Sequence, residues 1–174
     1  MTNKEMSRTI REELKKAGIP KSAYSIRVRD CGYSTSVDVR IKDLGINPNR
    51  VMRVLLPFRH VDWDERCMEV LAGGNTYADA EYDYDVLRAA AEANLDRAKK
   101  ILAMDVPLYE GVVIAERSRN GHVSELLWFK GDNTVVSRKK GGCSAGNRRH
   151  YAGGPVSMAE ALAVFDAIGE FPRY

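Results

Sequence analysis

The sequence predicts an α+β protein, with an N-terminal α-β-β-α-β-β-α unit followed by a three-stranded antiparallel meander and a C-terminal helix. Apolar residues recur every three or four positions in some segments and alternate with polar residues in others, while glycine, proline and asparagine mark turns between them. The 174 residues are enough for a sizeable core. We place an α+β domain at 1–104 and a small β-rich subdomain at 105–174.

The first helix begins at a capping box, Thr2-Asn3-Lys4-Glu5, and carries an apolar stripe that includes Ile10 and Leu14. Gly18 and Pro20 end it. The apolar period then changes to two, which predicts a hairpin with one apolar and one mostly basic face. Its inward residues are Tyr24, Ile26, Val28, Val37, Val39 and Ile41.

A second helix begins at Asn47-Pro48, and a second hairpin is expected between Met68 and Tyr84 around Gly73-Gly74-Asn75. One long alanine-rich helix is expected from about Asp85 to Ala103. We expect one N-terminal core, made of Met6, Ile10, Leu14, Ile26, Val28, Val37, Val39, Val51, Val54 and Leu95.

The C-terminal third is predicted to form strands on either side of an Asn120-Gly121 turn. Asn-Gly is the strongest short signal for a hairpin. Gly131-Asp132-Asn133 leads to a third strand, Thr134 to Arg138. A last helix begins at the capping box Ser157-Met158-Ala159-Glu160 and ends at Gly169.

Composition argues against a disulfide-rich, zinc-binding, membrane-spanning or secreted protein. The net charge is +3, and the three cysteines are too few and too scattered for a disulfide framework or a zinc knuckle. No apolar run is long enough to cross a bilayer, and the N-terminus has no secretory h-region. We therefore expect a cytoplasmic protein without a cofactor.

The outward face of the first hairpin is one candidate binding surface. Its bases form a row on the two strands: Arg27, Arg29, Arg40 and Lys42. Like charges opposite each other repel unless an anion lies over them, so phosphates or partner carboxylates would fit. The alternative is a solvated face on which Asp30 and Asp38 relieve the repulsion.

A glycine-rich stretch is the second candidate. It carries a run of bases without an intervening acid and an aromatic residue that could stack on a base: Arg138, Lys139, Lys140, Arg148, Arg149 and Tyr151. The alternative is an ordinary surface loop. Either way, we expect each charge removed there to cost only ~0.5 kcal/mol of stability.

An acidic strand is the third candidate, with Asp79, Glu81 and Asp83 alternating along it. Such carboxylates could hold a divalent metal or imitate nucleic-acid phosphates towards a basic partner. However, no histidine or cysteine accompanies them, and no nucleophile motif is present. We therefore predict no catalytic residues and no metal site.

Three stretches carry a resemblance to a known group. They are residues 1–18 (MTNKEMSRTIREELKKAG), Val28-Arg29-Asp30 with Gly32-Tyr33, and Leu71-Ala72-Gly73-Gly74-Asn75-Thr76-Tyr77. Up to about Tyr84 the chain resembles small proteins carried by phages and mobile genetic elements of gut Firmicutes. One branch of that group is an anti-CRISPR family that inhibits the type II-A effector nuclease.

The resemblance implies a non-enzymatic nuclease inhibitor that binds the guide-loaded type II CRISPR nuclease in the host bacterial cell and blocks DNA cleavage. A pure DNA mimic is strongly acidic, whereas this chain is slightly basic, so we favour an inhibitor that also contacts double-stranded DNA. The alternative is a DNA- or RNA-binding accessory protein of a phage or mobile element. The sequence leaves homodimerisation open.

Overall fold

The computed structural model describes residues 2–67, 69–71, 73–142, 148–150 and 153–171, with backbone alone at 148–150. The helices are α1 (Asn3–Lys16), α2 (Pro48–Leu55), α3 (Tyr84–Ala93), α4 (Leu95–Leu102) and α5 (Pro155–Ile168). The strands are β1 (Tyr24–Asp30), β2 (Ser34–Ile41), β3 (Trp63–Asp64), β4 (Glu69–Val70), β5 (Asn75–Tyr82), β6 (Val112–Arg119), β7 (His122–Phe129), β8 (Thr134–Lys139) and β9 (Arg148–His150). The mixed α+β class is confirmed. The chain forms two compact units, Met1–Asp83 and Tyr84–Tyr174.

Helix α1 begins at the predicted capping box. The Glu5 N–H donates to Thr2 Oγ1 at 3.3 Å, and the Thr2 N–H donates to Glu5 Oε2 at 2.8 Å. The helix ends at Ala17, and Gly18 follows with φ +72°, a conformation that glycine adopts without strain. Its apolar stripe is buried at Ile10 and Leu14.

The N-terminal unit is built on a three-stranded sheet in the order β1-β2-β5, with β1 antiparallel to β2 as predicted. Helix α1 packs on β1 and helix α2 on β5. The inward residues of β2 and β5 are buried: Val37, Val39, Ile41, Ala78, Ala80 and Tyr82. The opposite face of the sheet carries charged residues from all three strands, among them Arg27, Asp38 and Asp79.

The expected second hairpin is not formed. Strand β5 pairs in parallel with β2, and its predicted partner segment instead contributes β4, which pairs with β3. Parallel pairing needs a crossover with a helix, and α2 supplies it. The arrangement lets Ala78 and Ala80 join the core beside Val39, which a free-standing hairpin would not achieve.

Helices α3 and α4 belong to the second compact unit. The single helix expected from Asp85 to Ala103 is interrupted at Asn94, whose side-chain amide donates to the backbone of Ala90 at 3.4 Å. Both helices pack against α5, so the compact units divide after Asp83 rather than at the expected residue 104. Leu95 consequently lies outside the N-terminal core in which it was expected.

The second unit also contains the predicted meander, β6-β7-β8, with Asn120 and Gly121 at positive φ in the first turn. Strand β9 extends this sheet beside β8. Helix α5 buries Met158, Leu162 and Phe165 and ends at Gly169 in the left-handed conformation, as predicted. It begins at Pro155, after Gly154, rather than at the expected capping box of Ser157 and Glu160. Within the described ranges, none of the helices has the length and apolar character that crossing a membrane requires.

Candidate functional site

The open face of the three-stranded sheet brings together two sets of residues that were expected to form separate surfaces. Cross-strand register places Arg27 opposite Asp38 and Asp38 opposite Asp79. Two residues further along β2, on the same face, Arg40 lies opposite Glu81. Residues opposite each other in a ladder share a face. The basic hairpin and the acidic strand are therefore parts of one mixed-charge surface.

Ion pairs neutralise much of this surface. Arg29 Nη2 lies 2.7 Å from Asp38 Oδ2, and Arg40 pairs with Glu81. The hydrogen bond from Arg29 holds the pKa of the Asp38 carboxyl below its ordinary value, although burial acts in the opposite direction. The Ser36 hydroxyl, 3.2 Å away, lowers it further. This geometry favours the alternative of a solvated face on which acids relieve the repulsion.

The remaining residues of the basic hairpin and the acidic strand lie apart from these ion pairs. Lys42 is exposed just after β2, and Asp30 accepts from the Gly32 N–H at 2.9 Å in the turn. Asp79 is exposed on β5 and accepts from the Ala80 N–H. Asp83 is half-buried beyond the strand, where its N–H donates to Ile41 O at 2.7 Å. The three acids of the third candidate therefore do not converge on one point.

The second basic candidate divides between β8, β9 and residues that the structure does not describe. Arg138 is half-buried against Glu125 at 3.0 Å, and Lys140 Nζ lies 2.9 Å from Glu116 Oε1. The hydrogen bond to Glu116 raises the pKa of Lys140. Lys139 is exposed. The backbone of Arg148 and Arg149 forms β9 rather than a loop, while Tyr151 and residues 143–147 lie outside the described residues.

In the described part of the chain, no group of three or more His, Cys, Asp or Glu side chains could hold a metal ion. His60 Nε2 lies 3.0 Å from Asp62 Oδ1, but the two side chains are 65% and 51% exposed. Electrostatic catalysis works in a water-excluded site, which this surface pair lacks.

A basic groove along α1 was not predicted as a site. It has a volume of about 450 Å³ and is lined by Arg8, Arg11, Glu12, Lys15, Pro20, Lys21 and Tyr24. Among the described residues, its four cations make no ion pair within 4.0 Å. The signal was available in the spacing of Lys4, Arg8, Arg11 and Lys15, which repeats every three or four residues as a stripe on one helix face.

A second unpredicted surface, which we call the apolar end, consists of Tyr33, Trp63, Val70, Leu71 and Tyr77. These side chains are 41–82% exposed. Ser34 pairs with Asn75, which brings the turn holding Tyr33 to the start of β5. The Asn75 side chain accepts from the Asp62 N–H at 2.8 Å and donates to Leu71 O at 2.6 Å, which fixes the β3–β4 hairpin at the same end.

The hairpin itself presents two of these side chains as a pair, because Trp63 lies directly opposite Val70. No sequence signal indicated this, since two-residue strands are too short to show an alternating pattern.

No protein-family model, curated protein or solved structure matches the chain.

Proposed function

We propose that this chain is a non-enzymatic anti-CRISPR protein. It binds the guide-loaded type II CRISPR nuclease in the cytoplasm of the host bacterial cell and blocks DNA cleavage. The resemblance that suggests this partner extends to about Tyr84, and the N-terminal compact unit ends at Asp83. The resembling stretch thus corresponds to a whole packed unit, which supports assigning the partner contact to that unit.

The observation that carries the proposal is the apolar end. Exposed apolar side chains are ordinary when scattered, but a group of them at one end of a sheet is typical of protein–protein contact sites. Tryptophan and tyrosine are enriched among the residues that dominate binding energy, and the apolar end contains Trp63, Tyr33 and Tyr77. A hairpin held at its base by Asn75 presents Trp63 with little loss of conformational entropy.

The test is co-elution of the full chain with guide-loaded nuclease at moderate salt, together with inhibition of cleavage in the nuclease's own magnesium buffer. Trp63→Ala should weaken binding about 30-fold, because truncating a dominant interface residue costs about 2 kcal/mol. Failure of the parent protein to co-elute or to inhibit would refute the proposal.

Two valines provide a matched control. Val70 is 42% exposed in the apolar end, and Val156 is 53% exposed at the start of α5. Val70→Ser should reduce inhibition, whereas the same change at Val156 should leave it intact. Equal effects would show that the apolar end is not the contact surface.

The proposed mechanism needs no metal bound to this chain. Pre-treatment of the protein with EDTA, followed by removal of the chelator, should leave inhibition unchanged. If the treated protein no longer inhibits, and regains inhibition when magnesium or manganese is added to that protein alone, a non-enzymatic, metal-free role is contradicted.

The basic groove favours a second candidate, the DNA- or RNA-binding accessory protein of a phage or mobile element. Unpaired cations bind phosphates independently of sequence, with affinity that falls steeply with salt. Tight binding to bare duplex DNA without any effect on the nuclease would favour this role over the inhibitor.

A further inference from the structure

We propose that the basic groove binds the phosphate groups of a nucleic-acid strand. This inference does not rest on the nuclease being the partner. The groove and the apolar end adjoin opposite ends of β1, because Tyr24 begins that strand and Tyr33 follows its end. Seven residues in a strand span about 20 Å, so the two surfaces can be altered independently.

Local chain geometry creates the groove. After α1 ends, Gly18 reverses the chain at φ +72°, and Ile19 is buried while Pro20 and Lys21 stay exposed. The short turn of 3₁₀-helix at Lys21–Ala23 then leads into β1. The outer face of α1 and this returning segment form the two walls, with Tyr24 between them.

The charges of the groove differ from those of the sheet face. On the sheet face Arg29 and Arg40 each have a carboxylate partner, whereas the groove lining has four cations and the single acid Glu12. Arg11 donates to Ser7 Oγ at 2.6 Å, a neutral partner that leaves its charge uncompensated. Such a concentration of one sign draws an anionic ligand.

The dimensions of the groove fit several phosphates in a row. Arg8 and Lys15 are seven residues apart on the helix, a distance of about 10 Å at 1.5 Å per residue. One strand of a duplex carries a phosphate about every 3.4 Å along its axis, so the stripe spans about three phosphates. Lys21 adds a cation on the opposite wall. A single free phosphate would use only part of this length.

The apolar lining suits the sugar part of a strand and gives little base readout. Tyr24 is 7% exposed, so its ring is not available as a stacking platform. Pro20 and the aliphatic stems of the lysines and arginines supply the remaining apolar surface. The groove therefore contacts backbone rather than bases, and binding should tolerate different sequences.

The test measures binding of the full chain to a fluorescein-labelled single strand of about twelve nucleotides, a length within the usual range for one binding module. Fluorescence anisotropy is recorded over a range of salt concentrations. Lys15→Gln removes one groove cation, and its matched control Lys16→Gln removes the next cation of the same helix, which pairs with Glu13 outside the groove.

We expect Lys15→Gln to weaken binding about fivefold at 0.1 M salt and to lower the salt slope by about 0.7, the value for one lost contact to a single strand. Arg8→Gln/Arg11→Gln should lower the slope by about 1.4. Lys16→Gln should match the parent, and thermal melting checks the fold of each variant. Equal losses in Lys15→Gln and Lys16→Gln, or an unchanged slope in both groove variants, would overturn the proposal.

Competition separates a strand from a free phosphate ligand. Inorganic phosphate and a mononucleotide are added to the complex at fixed ionic strength. A strand-binding groove releases the labelled strand only to an unlabelled strand of similar length. If inorganic phosphate or the mononucleotide releases the labelled strand at a concentration close to that of the protein, the groove is a site for free phosphate. That result would refute the assignment to a strand.

Discussion

Arg138 Nε donates to Glu125 Oε2 at 3.0 Å, and the Glu125 side chain is only 6% exposed. The two residues lie directly opposite each other in the β7–β8 ladder. Lys140 Nζ is the second cation near this carboxylate, 4.0 Å from Oε1. Arg138 is therefore a structural partner of a buried acid. We therefore expect removal of its charge to cost more than the ~0.5 kcal/mol that applies to an exposed charge.

Arg138→Met should destabilise the protein by about 2 kcal/mol, because a buried carboxylate that loses its partner keeps its desolvation penalty. The remaining Lys140 keeps the cost below the usual range for breaking a buried pair. Urea denaturation measures the change. The double variant Glu125→Leu/Arg138→Met should recover most of the loss, because apolar replacement of both partners is often neutral. A single variant as stable as the parent would contradict this role.

Asp38 should make stability depend on pH. Its folded pKa is lowered by Arg29, so its contribution is present above the unfolded pKa and is lost as pH falls through the folded one. Asp38→Asn should cost about 0.5–1 kcal/mol at neutral pH, as for a partly exposed ion pair. The difference in stability between the parent and the variant should begin to shrink as pH falls below about 3.8, the ordinary value for this carboxyl, and should vanish once pH is below the lowered folded pKa.

Asp79→Asn is the control for this measurement. Asp79 lies directly opposite Asp38, so removing its charge relieves repulsion rather than breaking a pair. The melting temperature of the Asp79→Asn variant should equal or exceed that of the parent at neutral pH. A parent–Asp38→Asn difference that stays constant from neutral to strongly acid conditions would rule out the ion pair as its source.

The fold was predictable where local rules decide it. The capping box of Thr2 and Glu5 and the Asn120-Gly121 turn formed as predicted, because each depends on neighbouring residues alone. Strand β5 was predicted as part of a second hairpin, but it pairs in parallel with β2 instead. Its alternation fixes which side chains are buried, whereas the choice of β2 as neighbour depends on the α2 crossover and on filling the core.

The candidate surfaces were likewise predictable only where they depend on local sequence. The alternation of Arg27, Arg29 and Arg40 correctly places them on an outward face. Sequence could not show that Glu81 would lie beside Arg40, because that contact follows from the parallel pairing of β5. Charge spacing on a single helix needs no tertiary information, so the stripe of Arg8, Arg11 and Lys15 was within reach of sequence reasoning.

Asn75 should control how the apolar end is presented. Its side chain is 4% exposed and bonds the backbone at Asp62 and Leu71, on both sides of the β3–β4 hairpin. Asn75→Ala should cost about 1–3 kcal/mol, because the buried Asn75 side chain gives up two part-buried hydrogen bonds, each contributing about 0.5–1.5 kcal/mol. Hydrogen exchange at the Asp62 amide should accelerate, and nuclease inhibition should fall with it.

Thr76→Val provides a comparison at the next position of β5, since it replaces a 9% exposed residue while keeping the two backbone hydrogen bonds between Thr76 and His60. It should leave exchange at Asp62 and inhibition unchanged. If Asn75→Ala keeps full inhibition while exchange at Asp62 accelerates, the position of the hairpin is not important for partner binding.

The last prediction concerns the second basic candidate at Arg148 and Arg149. Their backbone pairs with Val136 and Val135 of β8, so these charges belong to a strand at the edge of the sheet. Exposed Lys139 ends the neighbouring strand. If this edge contacts phosphates or an acidic protein face, Arg148→Glu/Arg149→Glu should lower the salt slope for duplex DNA by about two units. Binding to the guide-loaded nuclease should weaken in parallel.

Lys99→Glu/Lys100→Glu is the matched reversal, because it makes the same change in net charge within α4. Thermal melting should show both variants folded, and only the reversal on β9 should alter binding. If that variant binds DNA and nuclease like its control, the edge of the second sheet is not a functional surface. Attention would then shift to the acidic strand, and Asp79→Asn/Glu81→Gln would test it, with Glu81 removed from its pair with Arg40.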